Sequence, residues 1–228
     1  MSDDGPAMSG GLSEPGALTP ENRPHAWLAS EIAMGANVPV LVADGEIWRL
    51  VTMMFLHGGL LHLMMNGWAF LSLGPLIEGI YGHRKLLFLF VASGVGSAIA
   101  SYGWRLDRPQ SPAVGASGAL FGLIGVAAIW GWRRGGSLGQ GVRGLMVQWA
   151  LYGLVMGLLI PGVDNAAHIG GLLTGAMLAL VVRDGEPVAK ASARLWSAAA
   201  WGSGVAIAAS FVLVATRYQA TIDLLFGR

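Results

Sequence analysis

The sequence predicts an all-α fold, a polytopic membrane bundle of about six transmembrane helices. Three observations carry that prediction. The chain has 228 residues, of which 54% are hydrophobic and only 12% charged, against about 25% charged in a soluble domain. Its apolar residues gather into runs that approach the roughly 20 residues a helix needs to cross a bilayer. It contains 35 glycines, far above the usual share of about 7%, and in membrane helices small residues let backbones approach closely. Mean hydropathy is +0.58.

The same composition excludes other classes. A net charge of +1 gives a nucleic-acid partner no electrostatic support. The absence of cysteine removes disulfides and thiolate–metal chemistry. No His-Glu metal motif occurs, and we expect neither a metal nor a cofactor.

Taken in order, residues 1–35 are polar, rich in Pro, Gly and acids (Asp3, Asp4, Glu14, Glu21, Glu31), and read as a disordered tail. No basic start leads into an apolar region, so they are not a signal peptide. Residues 36–58 are mixed and are expected at the membrane surface. Spans are expected over 59–80, 84–104, 116–132, 143–160, 166–182 and 196–216. Residues 36–182 form the core, and 183–228 a linker with one further span. Arg84, Lys85, Arg133, Arg134, Arg143, Arg183, Lys190 and Arg194 all fall in alternate loops, which places those loops in the cytoplasm and both termini outside. Trp48, Trp104 and Trp132 fit interfacial positions.

This parity aligns chemistry. The spans starting near 59, 116 and 166 all run inward, so His62, Asn66, Ser117 and His168 share one depth near the outer end. A hydroxyl and an imidazole in a membrane are costly without partners or a task. Ser117 needs a base to become a nucleophile, and His168 is the candidate. Gly118 and Gly122 on one span, and Gly171 and Gly175 on the other, are small-residue pairs four apart that let the two backbones close in. His62 and Asn66, also four apart, share a helix face and offer N–H donors for an oxyanion, with the Ser117 amide as a third. No carboxylate completes a triad; Asp164 reads as the cap of the His168 helix. His25 and His83 read as solvent-facing.

Several stretches, in order, resemble the rhomboid family of intramembrane serine proteases. Gly35-Ala36-Asn37 and Gly45-Glu46-x-Trp48-Arg49-Leu50-x-Thr52 resemble its first membrane-surface loop. His57-x4-His62-x3-Asn66 resembles its oxyanion motif, Gly115-Ala116-Ser117-Gly118 its nucleophile motif, and Ala167-His168-x2-Gly171-x3-Gly175 its base helix. The resemblance implies a helical bundle with a water-filled cavity open to the outside. It implies Ser117 as nucleophile, His168 as base, and His62 and Asn66 around the oxyanion. It further implies that Phe121 packs on the imidazole, that Trp48 and Arg49 shape the surface loop, and that Glu78 is a structural polar group. The partners would be the bilayer and transmembrane protein substrates, cleaved near the outer face, in the plasma (inner) membrane of a bacterium.

One departure stands out. The family core has a transmembrane helix before the surface loop, and residues 1–35 contain no such run. The flank beside 36–58 is therefore expected to lie open and that loop to be less well held than in relatives that have the helix. A catalytically silent relative that binds transmembrane helices is the alternative, although such proteins usually lose the serine or histidine. A small transporter would need ionisable residues at the bilayer midplane, where these spans have none. A metal hydrolase on His57, His62 and His168 would lack a carboxylate ligand.

Overall fold

The computed structural model of the chain describes residues 23–185 and 189–226. Three short helices come first: α1 (Arg23–Ala33), α2 (Pro39–Ala43) and α3 (Arg49–Thr52). Six long ones follow: α4 (Leu60–Tyr81), α5 (His83–Trp104), α6 (Ser117–Arg134), α7 (Gly136–Leu159), α8 (Asn165–Val181) and α9 (Lys190–Phe226). All six expected spans are present as helices. The described residues contain no strand, only an isolated bridge between Asn37 and Ala113.

By length and apolarity alone, α4, α5, α7 and α9 qualify to cross a bilayer. The other two differ for a physical reason. α6 runs through the middle of the bundle, with every residue from Gly118 to Ala127 buried. Protein rather than lipid surrounds it, so glycine and alanine replace large apolar side chains. α8, with 17 residues, packs along it. A side chain on Gly171 would collide with the Gly118 carbonyl, one on Gly175 with the Gly122 carbonyl, and one on Gly125 with the Leu172 carbonyl. On its other flank α6 turns Gly118 and Gly122 toward Ser97 and Ser93 of α5. A core of Leu73, Ile77, Leu89, Leu120, Leu123, Val126 and Met146 fills the space among α4, α5, α6 and α7.

The two ends of the bundle are built differently. At the end that carries the basic loops, Gly82, with φ +81°, links α4 to α5 in one residue. A side chain would be strained there. Lys85 sends its ammonium to the carbonyls of Arg183 (2.8 Å) and Gly185 (2.6 Å), which joins two of the basic loops on one face. At the outer end the surface loop is stitched to its surroundings. Arg49 donates to Glu46 (2.6 Å) and to the carbonyls of Ile32 (2.6 Å) and Ala36 (3.0 Å). Burial pushes the Arg49 guanidinium below its ordinary pKa, while Glu46 opposes that shift. Thr52 donates to the Gly35 carbonyl (2.6 Å) and Asn37 to the Ala98 carbonyl (3.0 Å). These bonds tie the loop to the end of α1 and to α5.

Two elements do the holding, and both correct the sequence reading. Residues 23–33, expected in the disordered tail 1–35, form α1, and Met34 and Gly35 turn out of it; residues 1–22 lie outside the described residues. Ala29, Ile32 and Ala33 of α1 are buried, because distant chain supplies the apolar surface that the local sequence lacks. That chain is α9, which extends beyond the expected 196–216 to 37 residues. At 1.5 Å per residue this is about 55 Å, well over the roughly 30 Å of hydrocarbon. Its inner end places Trp196 edge-on to Phe88 (5.6 Å) and beneath Lys85. Further out, Phe211 meets Phe55 (5.7 Å) and Val214 lies against Gly35. Leu225 packs on Ile32, Ala36, Val38 and Leu41. The flank expected to lie open is covered by α1 and α9.

Arg49 is the hub of this region. Arg49→Ala leaves Glu46 unpaired, takes the donor from the Ala36 carbonyl and leaves Ile32 only its bond from the Gly35 N–H, a loss of about 3–5 kcal/mol for a broken buried pair. Denaturant unfolding in detergent should show it, with Arg49→Lys recovering only part. A midpoint equal to wild type would show that the loop is held by other means.

Candidate active site

Ser117 is the first residue of α6, and His168 lies in the first turn of α8. The glycine contact between these helices brings the side chains together: Ser117 Oγ lies 2.9 Å from His168 Nε2. His168 is buried, whereas Ser117 is half-buried and accessible.

Two further groups fix the imidazole. Phe121, one turn after Ser117, stacks on it with ring centroids 4.2 Å apart and planes 6° from parallel. Asn165 Oδ1 lies 3.2 Å from His168 Nδ1. The same amide donates through Nδ2 to the Leu154 carbonyl of α7 (3.1 Å), so the oxygen faces the ring and can only accept. Nδ1 therefore carries the proton, and Nε2 presents its lone pair to the serine hydroxyl. Asn165 was missed in the sequence, although its position three before His168 puts both on one helix face. Asp164 caps α8 as expected, accepting from the Ala167 N–H (3.0 Å).

On the opposite side of the serine stands α4. A side chain on Gly115 would meet His62 Nε2 at 2.8 Å and Asn66 Nδ2 at 3.8 Å. Gly115 also has φ +127°, so glycine is required for both backbone and space. Its N–H donates to the Met53 carbonyl (2.8 Å), tying the nucleophile loop to the surface loop. His62 Nδ1 accepts from the Gly58 N–H (3.3 Å), which leaves the ring proton on Nε2, toward Gly115. Buried Asn66 Nδ2 has no protein partner. The first-turn N–H of Ser117 is free of intrahelical bonding. Three donors thus converge beside the serine.

The remaining residues take other places. His57 meets His62 edge-on (5.2 Å); burial pushes its pKa down, and His62 adds to the shift. Arg49 and Trp48 belong to the surface loop, where Trp48 precedes α3 and is half-buried. Glu78, expected to be a structural polar group, lies exposed on α4. The buried serines Ser93, Ser97 and Ser101 of α5 went unread in the sequence; they recur every four residues and face α6 and α8.

Three substitutions at two positions follow. Asn66→Ala should fold and cut any hydrolytic rate about 10²–10³-fold, the usual effect of losing one oxyanion donor; full activity would remove Asn66 from the site. Asn165→Ala frees the ring and should cost at least about tenfold, since a general base contributes about 10²–10⁴-fold. Asn165→Asp keeps the acceptor but gives up the donor to Leu154, so its rate should fall between the two. Equal rates in all three proteins would show that Asn165 does not orient the base.

The chain is similar to known proteins over most of its length. Residues 44–185 match the Rhomboid domain family. The chain is 34% identical to the rhomboid protease GluP of Bacillus subtilis over 144 residues, covering 63% of this chain and 28% of that protein. It is 38% identical to RHOMBOID-like protein 5 of Arabidopsis thaliana, covering 65% of this chain and 48% of the relative. It is 32% identical to the putative rhomboid protease YdcA of Bacillus subtilis, covering 61% of this chain and 69% of the relative. The match to the first two spans at most about half of their length.

Proposed function

The chain belongs to the rhomboid family, and from that premise we propose that it is an intramembrane serine endopeptidase working through a Ser117–His168 dyad. The substrates are transmembrane proteins, cleaved near the outer membrane face. The observation that carries the reading is the 2.9 Å contact between Ser117 Oγ and His168 Nε2, beside an unpartnered Asn66 amide.

The chemistry follows from the positions. As the Ser117 oxygen attacks the scissile carbonyl, His168 Nε2 takes the hydroxyl proton. Negative charge develops on the carbonyl oxygen, where Asn66 Nδ2–H, His62 Nε2–H and the Ser117 N–H can receive it. Collapse breaks the C–N bond, and the imidazolium gives its proton to the leaving amine. Water then enters from the outer side, gives a proton to His168 and attacks the acyl-serine. The serine leaves as alkoxide and recovers its proton from the ring. Asn165 and Phe121 keep the imidazole in one tautomer and one orientation throughout. The outer half of α4 is exposed and apolar at Leu60, Leu61, Met64 and Met65, which suits the approach of a substrate helix through lipid. The placement of the basic loops fits the plasma membrane of a bacterium.

The alternative, a silent protein that only binds transmembrane helices, is separated by one experiment. Detergent-solubilised protein is incubated with a fluorophosphonate probe. Wild type should be labelled, Ser117→Ala should not, and His168→Ala should be slower by about 10²–10⁴-fold. Equal labelling of Ser117→Ala would place the nucleophile elsewhere. A folded but unlabelled wild type that still retains a substrate helix would favour the binding reading.

A further inference from the structure

Arg105 lies just past the C-terminus of α5, near the outer end of the bundle, and is buried. Nothing in the catalytic scheme above uses it. Its guanidinium nevertheless reaches four segments of the chain. Nη1 donates to the carbonyls of Asn37 (3.2 Å) in the surface loop and Ser111 in the loop leading to the nucleophile. Nη2 donates to Ser101 Oγ (2.7 Å) on α5. Nε donates to the Ser101 carbonyl (3.2 Å) and lies 3.5 Å from Asp164 Oδ2 at the start of the base helix. Ser101 Oγ in turn donates to the same Asp164 oxygen (2.5 Å). The other Asp164 oxygen accepts from Ala167, and the Asp164 carbonyl accepts from the N–H of His168 itself (3.2 Å).

We propose that Arg105 and Asp164, with Ser101 between them, are positioning residues that fix the outer ends of α6 and α8 relative to each other. The inference rests on the dyad reading. Ser111 lies six residues before Ser117, and Asp164 four before His168. One guanidinium thus holds the approach to the nucleophile and the start of the base helix together. It also grips the point where Asn37 pairs with Ala113, so the surface loop joins the same clamp. The glycine stripes hold the two helices side by side along their length. Sliding and splaying at their outer ends are what the clamp resists. A fork of fixed geometry is suited to this, and a lysine, with one point of charge, is not. A placement error of about 1 Å at reacting groups can cost 10²-fold in rate.

The test uses the full chain in detergent and reads the second-order rate of fluorophosphonate labelling, at a temperature well below each variant's melting point. A cap that served only folding would lower the melting point and leave that rate unchanged. Asp164→Asn keeps an acceptor for Ala167 but loses the charge facing Arg105, and should label at least about tenfold more slowly. Arg105→Lys should not restore the rate. In the double variant Asp164→Asn with Arg105→Gln the losses should not multiply, because both changes break one interaction. Ser101→Ala, the mildest change, should slow labelling less than Asp164→Asn but measurably. It decides the matter if Asp164→Asn does not fold. Wild-type labelling rates in folded Asp164→Asn or Ser101→Ala, or losses that multiply, overturn the clamp while the dyad stands. A folded wild type that Ser117→Ala matches in labelling overturns the dyad, and the clamp with it.

Discussion

The contact between the glycine faces of α6 and α8 is the constraint on which the site depends. Helices bearing ordinary side chains pack with axes about 8–10 Å apart. Here Gly171 and Gly175 leave no room for a Cβ against the carbonyls of Gly118 and Gly122. Serine is a short side chain and cannot reach across a normal interface to an imidazole on another helix. Backbone-to-backbone contact removes that obstacle and places both residues in the first turns of their helices. The cost is that glycine is a poor helix former, by about 1 kcal/mol relative to alanine. Burial within the bundle offsets it: α7, α5 and α4 enclose α6 on its other sides, so the helix is held by its neighbours rather than by propensity.

Close packing fixes a distance between axes but leaves the outer ends free to move along them. Polar bonds supply what packing does not. The Asn37–Ala113 bridge and the bond from Gly115 to the Met53 carbonyl join the nucleophile loop to the surface loop. Arg49 joins that loop to α1, and α1 leans on α9. A helix near the far end of the chain is therefore coupled, through packing and backbone bonds, to the loop that presents the serine.

Much of this was legible in the sequence, for a specific reason. His62, Asn66, Ser117 and His168 announce themselves because polar groups in apolar segments are conspicuous, and because helix parity alone sets their common depth. The glycine pairs were legible because spacing by four is local. What could not be read depends on distant partners. Arg105 finds Asn37 at a separation of 68 residues, and no local pattern marks either one. The helix α1 looked like tail because its buried face is completed by α9. The helix around the expected span 196–216 runs on at both ends, and at the far end Leu225 packs against the cluster of Ile32, Ala36, Val38 and Leu41. Asn165 is a different case. Its spacing from His168 was visible, but asparagine at a helix start also reads as ordinary capping, and only its bond to Leu154 distinguishes the roles.

The distribution of unsatisfied polar atoms carries the argument one step further. Among the described residues, the buried side-chain atoms without a protein partner are Glu31 Oε1, Asn37 Oδ1, Trp48 Nε1, His57 Nε2, Asn66 Nδ2 and Ser93 Oγ. Five of the six lie at one end of the bundle, on α1, the surface loop and the start of α4, and Ser93 lies midway along α5. Within a bilayer such atoms are expensive, by several kcal/mol each when nothing satisfies them. The inner end shows the opposite: Lys85 and Arg133 are each bonded to main-chain carbonyls. Most of the unpartnered polar atoms thus gather at the end that carries Ser117 and His168, while Lys85 and Arg133 at the other end are bonded. That asymmetry suits the proposed hydrolysis, because its second substrate is water. Water has to reach the acyl-serine from one side while the rest of the interior stays dry enough to strengthen the donors around the oxyanion.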